Sequence, residues 1–254
     1  MTASRVLITG ASRGIGRALA TRFAAAGGRV AVHYNSRIDE ARETVTGLTG
    51  AGHALIHGDL RSPDECRRVV AEAESALGGL DVVVNNAALA TAPELAHPVD
   101  STDFDQWVTA WHAFTEVNLW APAHISWAAA HSMIASGTPG RIINIGSRAA
   151  FRGEILHPAY AATKAALHAL GQSLALALGP HGIAVASVAP GFIATERIAE
   201  RFGPTLPTSL TADSPFGRVG TTDEVAAAVC YLASTEAQWA SGAVLDLNGA
   251  TYFR

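Results

Sequence analysis

The sequence predicts an α/β fold with a doubly wound parallel sheet of about seven strands, and three observations predict it. Short β-branched runs alternate with helical patterns along the whole chain. The runs are apolar at nearly every position, which calls for helices covering both faces of the sheet. No linker, low-complexity tract or repeat interrupts the alternation, so residues 1–254 are expected to form a single domain.

The elements follow in order. The first strand, 5–9, runs into a glycine-rich turn and a helix at 15–26. Strand 29–34 leads to a helix at 38–48, and strand 53–57 to a helix at 63–77. The start of that last helix is signed by Ser62-Pro63-Asp64-Glu65, a capping hydroxyl followed by a proline whose missing N–H has no partner to lose there. Strand 81–85 comes next, then helix 118–137, strand 141–146, helix 158–178 and strand 183–189. A helix at 222–233, opened by Thr222-Asp223-Glu224, and a strand at 244–247 complete the pattern. Helices 118–137 and 161–178 carry one charge between them, Lys164. A solvent-facing helix needs a charged face, so both are expected to pack against another copy in a dimer or tetramer.

Composition narrows the function. With 18 Lys+Arg against 22 Asp+Glu and a net charge of −4, no broad positive field exists for nucleic acid. At 49% hydrophobic and 16% charged, the chain can bury a large core. Residues 165–195 contain no Asp, Glu, Lys or Arg, but Gly179-Pro180-His181-Gly182 and Pro190-Gly191 break the run, so no membrane span is expected. The N-terminus enters a strand directly, without the pattern of a signal peptide. Cys66 and Cys230 fit no metal spacing and read as reduced thiols of a soluble, cytoplasmic protein. The histidines form no His-Glu-x-x-His set, so no metal site is expected, and no Gly-x-Ser-x-Gly elbow is present.

The strongest motif is Thr9-Gly10-Ala11-Ser12-Arg13-Gly14-Ile15-Gly16, placed between the first strand and the first helix. Glycines permit a tight turn and close backbone approach to a phosphate, while the helix start offers free N–H groups and a positive dipole end. The spacing is Gly-x-x-x-Gly-x-Gly. Further along stand Asn85-Asn86-Ala87, Asn118 within Val-Asn-Leu, Ser147 after the fifth strand, Tyr160-x-x-x-Lys164, and Pro190-Gly191-Phe192-Ile193-Ala194-Thr195. This ordered set resembles the short-chain dehydrogenase/reductase family over essentially the whole chain. The resemblance implies a Rossmann-type fold, a nicotinamide dinucleotide cofactor, and a substrate lid at about 192–216.

For the cofactor, the resemblance points to Gly10, Ser12, Arg13, Gly14, Ile15, Gly16, Arg37, Asp59, Leu60, Asn86, Ala87, Tyr160, Lys164, Pro190, Gly191, Ile193 and Thr195. NAD-preferring relatives place an acid at the end of the second strand, but here Val32-His33-Tyr34-Asn35-Ser36-Arg37 offers none. Arg13 and Arg37 can bind a 2′-phosphate, so NADP(H) is preferred and NAD(H) remains possible. Asp59 corresponds to the position that contacts the adenine, or else caps the following helix.

The catalytic set is expected to be Asn118, Ser147, Tyr160 and Lys164. Tyr160 and Lys164 share one helix face. A ketone accepting hydride needs a proton, and a tyrosine with a pKa near 10 must drop by about three units, roughly 4 kcal/mol, to match neutral pH. One ammonium about 4 Å away supplies about that much at an effective dielectric of about 20. Ser147 would hold the carbonyl oxygen. By resemblance, Asn118 bends a helix and links Lys164 to solvent through a water. Lys164 is the one lysine beside 17 arginines, and it falls four residues after Tyr160.

The pattern departs in places. Ala88 stands where relatives carry glycine, and 89–114 is longer than usual, with Pro93, Pro98 and an Asp-Ser-Thr-Asp-Phe-Asp run, as for an added loop. The expected function is an NADP(H)-dependent carbonyl reductase or alcohol dehydrogenase acting on a small molecule. Reduction of a 3-oxoacyl group on acyl carrier protein is the alternative enzyme. It is disfavoured because 135–138 and 173–176 lack the basic residues that would grip an acidic carrier. A non-catalytic NAD(P)-sensing protein is the alternative outside enzymes. His157, Arg152 and Glu154 are further candidates for contact with substrate.

Overall fold

The computed structural model describes residues 4–203, 207–212 and 214–254. Seven parallel strands form one sheet: β1 (Arg5–Ile8), β2 (Arg29–Tyr34), β3 (Ala54–His57), β4 (Val82–Asn85), β5 (Arg141–Ile145), β6 (Ala184–Pro190) and, last in the chain, β9 (Val244–Leu247). Their spatial order is β3-β2-β1-β4-β5-β6-β9. Chain direction along the sheet reverses between β1 and β4, so the loops leaving these two strands part and open a crevice at their carboxyl ends. The glycine turn follows β1 and the asparagine motif follows β4, which brings both to that crevice.

Helices cover both faces, as the continuous apolar runs require. On one face α1 (Gly14–Ala25) and α9 (Thr222–Leu232) bury Leu19, Phe23, Val225 and Val229 against Val6, Ile8, Val30 and Ile143. On the other, α3 (Pro63–Leu77) and α5 (Ala121–Ala135) bury Val69, Leu77, Ile125 and Met133 against Leu7, Val83, Ile142 and Val185. The remaining helices are α2 (Ile38–Thr46), α4 (Phe104–Thr115), α6 (Pro158–Leu178), α7 (Glu196–Phe202) and α8 (Thr208–Thr211). Within 192–216, β7 (Ile193–Ala194) pairs with β8 (Gly220–Thr221), while residues 204–206 and 213 lie outside the described set.

Two expectations need correction. Residues 89–114 are not simply an added loop: from Phe104 the chain is helical, capped by Asp103, whose carboxylate accepts the Gln106 N–H at 2.9 Å. That helix runs through a π turn at Glu116–Trp120 into α5. Pro122 explains the turn, since it brings no N–H to the carbonyl four residues earlier, that of Asn118. The cap of α9 is Thr221, one residue before the expected start, and it forms a reciprocal pair with Glu224. Among the described residues, no helix is long and apolar enough to cross a membrane.

Candidate active site

The glycine turn is held from three directions by uncharged groups, the buried Thr9 and His33 and the half-buried Asn86. Gly10 and Gly14 have φ of +63° and +58°, and a Cβ on Gly10 would stand 2.9 Å from the Ala87 Cα. On Gly16, a Cβ would meet the Gly10 carbonyl oxygen at 2.3 Å, so the helix could not lie this close to the turn. Thr9 Oγ1 accepts the backbone N–H groups of Asn86 and Ala87, each at 3.0 Å. Asn86 Nδ2 donates to the carbonyls of Thr9 and Gly10, both at 2.9 Å. From β2, His33 Nδ1 accepts the Gly10 N–H at 3.1 Å while its Nε2–H donates to the Gly58 carbonyl at 3.0 Å. One neutral tautomer satisfies both bonds, and burial lowers the His33 pKa to about 4. His33 thus joins the turn to the loop carrying Asp59 and Leu60. Ser12 is buried, its carbonyl accepting from Arg17 and Thr44.

Gly14 is the first residue of α1, and its N–H donates to the Glu196 carboxylate at 2.9 Å. An anion therefore already sits at this helix start, which is the chemistry a dinucleotide phosphate would use. The expected 2′-phosphate ligands are ion-paired: Arg13 with Glu200 at 2.8 Å, and Arg37 with Glu40 at 2.8 Å. Asp59 is held below the usual carboxylate range by its hydrogen bonds to Arg61, and Leu60 is buried in the core beneath α3. Ser62, not Asp59, caps that helix.

At the end of β5, Ser147 adopts an extended conformation and its Oγ accepts the Ala149 N–H at 3.1 Å. The Ser147 hydroxyl lies close enough to that of Tyr160 to favour its ionised form. One turn further along α6, the buried Lys164 donates from Nζ to the Ile145 carbonyl at 2.9 Å, with Nζ 5.9 Å from the Tyr160 ring centre. The sequence argument has the lysine lowering the tyrosine pKa. In the structure burial dominates and pushes Tyr160 above its ordinary value, with the Ser147 hydroxyl and the Arg197 charge opposing the rise. Burial, and secondarily Arg197, pull Lys164 down to about 8. Arg197, on α7, is a site residue that sequence reading missed. Arg197 is exposed and acts on Tyr160 and Lys164 through its charge rather than through a contact.

Asn118 is buried within the π turn. Its Oδ1 accepts the Leu89 N–H at 2.8 Å and its Nδ2 donates to the Leu89 carbonyl at 3.0 Å, so it anchors the chain leaving β4. His157 is buried and bonded to the Ala92 carbonyl at 2.8 Å rather than presented to a substrate. Beside it, His97 accepts the Ala159 N–H at 3.1 Å. The long segment after β4 thereby braces the start of α6, immediately before Tyr160. After β6, Gly191 N–H donates to Leu247, Ile193 is buried, and Thr195 caps α7 by accepting the Ile198 N–H at 3.4 Å. A cavity of about 770 Å³ lies between this segment and the C-terminal residues, lined by Phe192, Phe216, Tyr252 and Phe253. Arg148, the neighbour of Ser147, points that way: it donates to Thr251 at 2.7 Å and lies 4.7 Å over the Phe192 ring. Among the described residues, no cluster of His, Cys, Asp or Glu could hold a metal ion.

Comparison with known proteins bears on the family and the fold. A family model described as enoyl-(acyl carrier protein) reductase matches residues 10–250. A short-chain dehydrogenase/reductase of Hericium erinaceus is 36% identical over 96% of this chain and 95% of its own. The 3-oxoacyl-[acyl-carrier-protein] reductase of Salmonella typhimurium is 33% identical over 97% and 96%. The crystal structure of acetoin dehydrogenase YohF from Salmonella typhimurium is 31% identical and superposes with a TM-score of 0.84, covering 98% of this chain and 97% of that one.

Proposed function

Because the chain belongs to the short-chain dehydrogenase/reductase family of oxidoreductases, we propose that it moves a hydride between NADP(H) and a small ketone or secondary alcohol. The observation that carries this reading is the Ser147–Tyr160 hydroxyl pair at the end of β5, with the ammonium of Lys164 buried one turn away. Ser147 orients a carbonyl oxygen and Tyr160 gives it a proton in reduction, or takes one from an alcohol in oxidation. The raised pKa of Tyr160 keeps it protonated, the form that reduction needs. Lys164 and Arg197 place positive charge beside the phenolic oxygen and stabilise the tyrosinate left after proton transfer. Asn118 acts as a relay and positioning residue through its hold on Leu89. The described residues of the segment after Pro190, β7 and α7, form part of the lid over the site.

The turn fits a dinucleotide: the glycines leave room for close approach, and the start of α1 already holds a carboxylate. Gly10, Ser12, Arg13, Gly14, Ile15 and Gly16 would cradle the phosphates, Asp59 and Leu60 the adenine, Asn86 and Ala87 the ribose, and Pro190, Gly191, Ile193 and Thr195 the nicotinamide end. The bound nicotinamide supplies or accepts the hydride. The absence of an acid at the end of β2, with Arg13 and Arg37 near the turn, supports NADP(H) over NAD(H). A 3-oxoacyl substrate on acyl carrier protein is the second reading, supported by the names of the family model and of one relative. The uncharged 135–138 and 173–176 offer an acidic carrier little to grip, which favours free ketones. Exposed Trp120, Trp127 and Leu176 on the two charge-poor helices support assembly into a dimer or tetramer of a cytoplasmic protein.

Tyr160→Phe tests the reading. The variant should fold and bind NADPH as the parent does while kcat falls by about 10³-fold, with free ketones turned over faster than an acyl-carrier β-ketoester. Near-normal turnover by the variant would sink the mechanism.

A further inference from the structure

The helix α7 touches the cofactor turn through two carboxylates that lie one helical turn apart. Glu196 Oε2 accepts the Gly14 N–H at 2.9 Å, and Glu196 lies 4.0 Å from Arg17. Glu200 takes both of its oxygens to Arg13 Nη1, at 2.8 and 3.0 Å. The helix packs directly over Gly14: a Cβ there would be in ordinary contact with Thr195 at 3.5 Å and with the Glu196 carboxylate at 3.7 Å, and it is the φ of +58° that favours glycine. Gly14 N–H and Arg13 are also the groups that the turn offers to the diphosphate and 2′-phosphate of NADP(H). An N–H already donating to a carboxylate is lost to a phosphate, and the two anions repel at such separation.

Resting on the NADP(H) reading above, we propose that Glu196 and Glu200 are cofactor-specificity residues that compete with the phosphates of the dinucleotide for Gly14 N–H and Arg13. Entry of the cofactor and release of α7 from the turn are then one event. Glu196 weakens every dinucleotide, because the diphosphate is common to NAD and NADP. Glu200 weakens those with a 2′-phosphate, because Arg13 serves that group. Both carboxylates are solvent-exposed, so the competition is mild and the cofactor prevails.

Calorimetric titration of wild type, E196Q, E200Q and the double variant with NADP⁺, NAD⁺ and 2′,5′-ADP tests this without turnover. E200Q should bind NADP⁺ and 2′,5′-ADP about 3- to 5-fold more tightly with NAD⁺ unchanged. E196Q should bind NADP⁺ and NAD⁺ more tightly by a similar factor. Unchanged or weaker binding in both single variants overturns the proposal. Failure of the cofactor reading itself looks different: neither wild type nor the double variant binds any of the three probes. A double variant that binds where wild type does not would support the competition in its strongest form.

Discussion

The glycine turn and helix α7 meet across Gly14, yet they are held in place by different forces. The turn is pinned by a set of mutually connected, largely shielded hydrogen bonds from the buried Thr9 and His33 and the half-buried Asn86. The helix is held by ion pairs in which Glu196 and Glu200 are about half exposed, a kind of contact that contributes at most about 1 kcal/mol each. The difference separates two jobs. The region that must present the same donors at every turnover is over-determined, whereas the region that decides what enters is attached loosely enough to move.

The comparison can be broken at its rigid side first. Lys164→Met removes the buried ammonium beside Tyr160 and should cut kcat by about 10²- to 10³-fold, measured by steady-state NADPH oxidation. A change below 10-fold would mean that Lys164 is structural. His33→Leu should raise the KM for NADPH by about 10-fold with a smaller effect on kcat, because it strands the Gly10 N–H and the Gly58 carbonyl. The same variant tests acid stability. The folded pKa of His33, about 4, lies below its ordinary 6.5, so the unfolded chain binds the proton first as pH falls. Stability from the neutral ring is full above pH 6.5 and is lost as pH falls through about 4, on the order of 3 kcal/mol. Thermal melts from pH 7 to 4 should therefore be flatter for His33→Leu than for the parent, and equal slopes would contradict the assignment. On the loose side, Arg197→Ala should change kcat by only a few-fold while the fold and the melting temperature stay as in the parent. A loss as large as that of Lys164→Met would place α7 among the rigid parts.

What could be seen in the sequence divides along the same line. All seven strands of the main sheet and most of the helices that cover it were visible within a residue or two, since apolar runs and caps are local signals. The expected helix 118–137, however, starts three residues before α5, and the helical run leading into it was not seen. Ser147, Tyr160 and Lys164 were visible as a set through the resemblance of the ordered motifs; helix period by itself joins only Tyr160 and Lys164. His33 was missed, although a histidine inside the apolar run Val30-Ala31-Val32-His33-Tyr34 is a signal that a buried partner awaits it. The partner of Arg13 was not visible, because its ion pair with Glu200 joins residues 187 positions apart. The partner of Arg37 is Glu40, three residues further along the same helix start, and was overlooked although it is local. The bracing of α6 by His97 was hidden for the same reason, and the helix within 89–114 was masked by its two prolines and acidic run. The expectation for the Tyr160 pKa erred because pairwise attraction was weighed without the desolvation that burial imposes on both partners.

The central claim is that this site transfers hydride between NADP(H) and a carbonyl carbon. Its most direct test is NADPH deuterated at its transferable position, incubated with a panel of small ketones and followed by mass analysis of the alcohols formed. The account predicts deuterium on the carbinol carbon of the product and its loss in Tyr160→Phe. Tight NADPH binding with no deuterium reaching any ketone would contradict it.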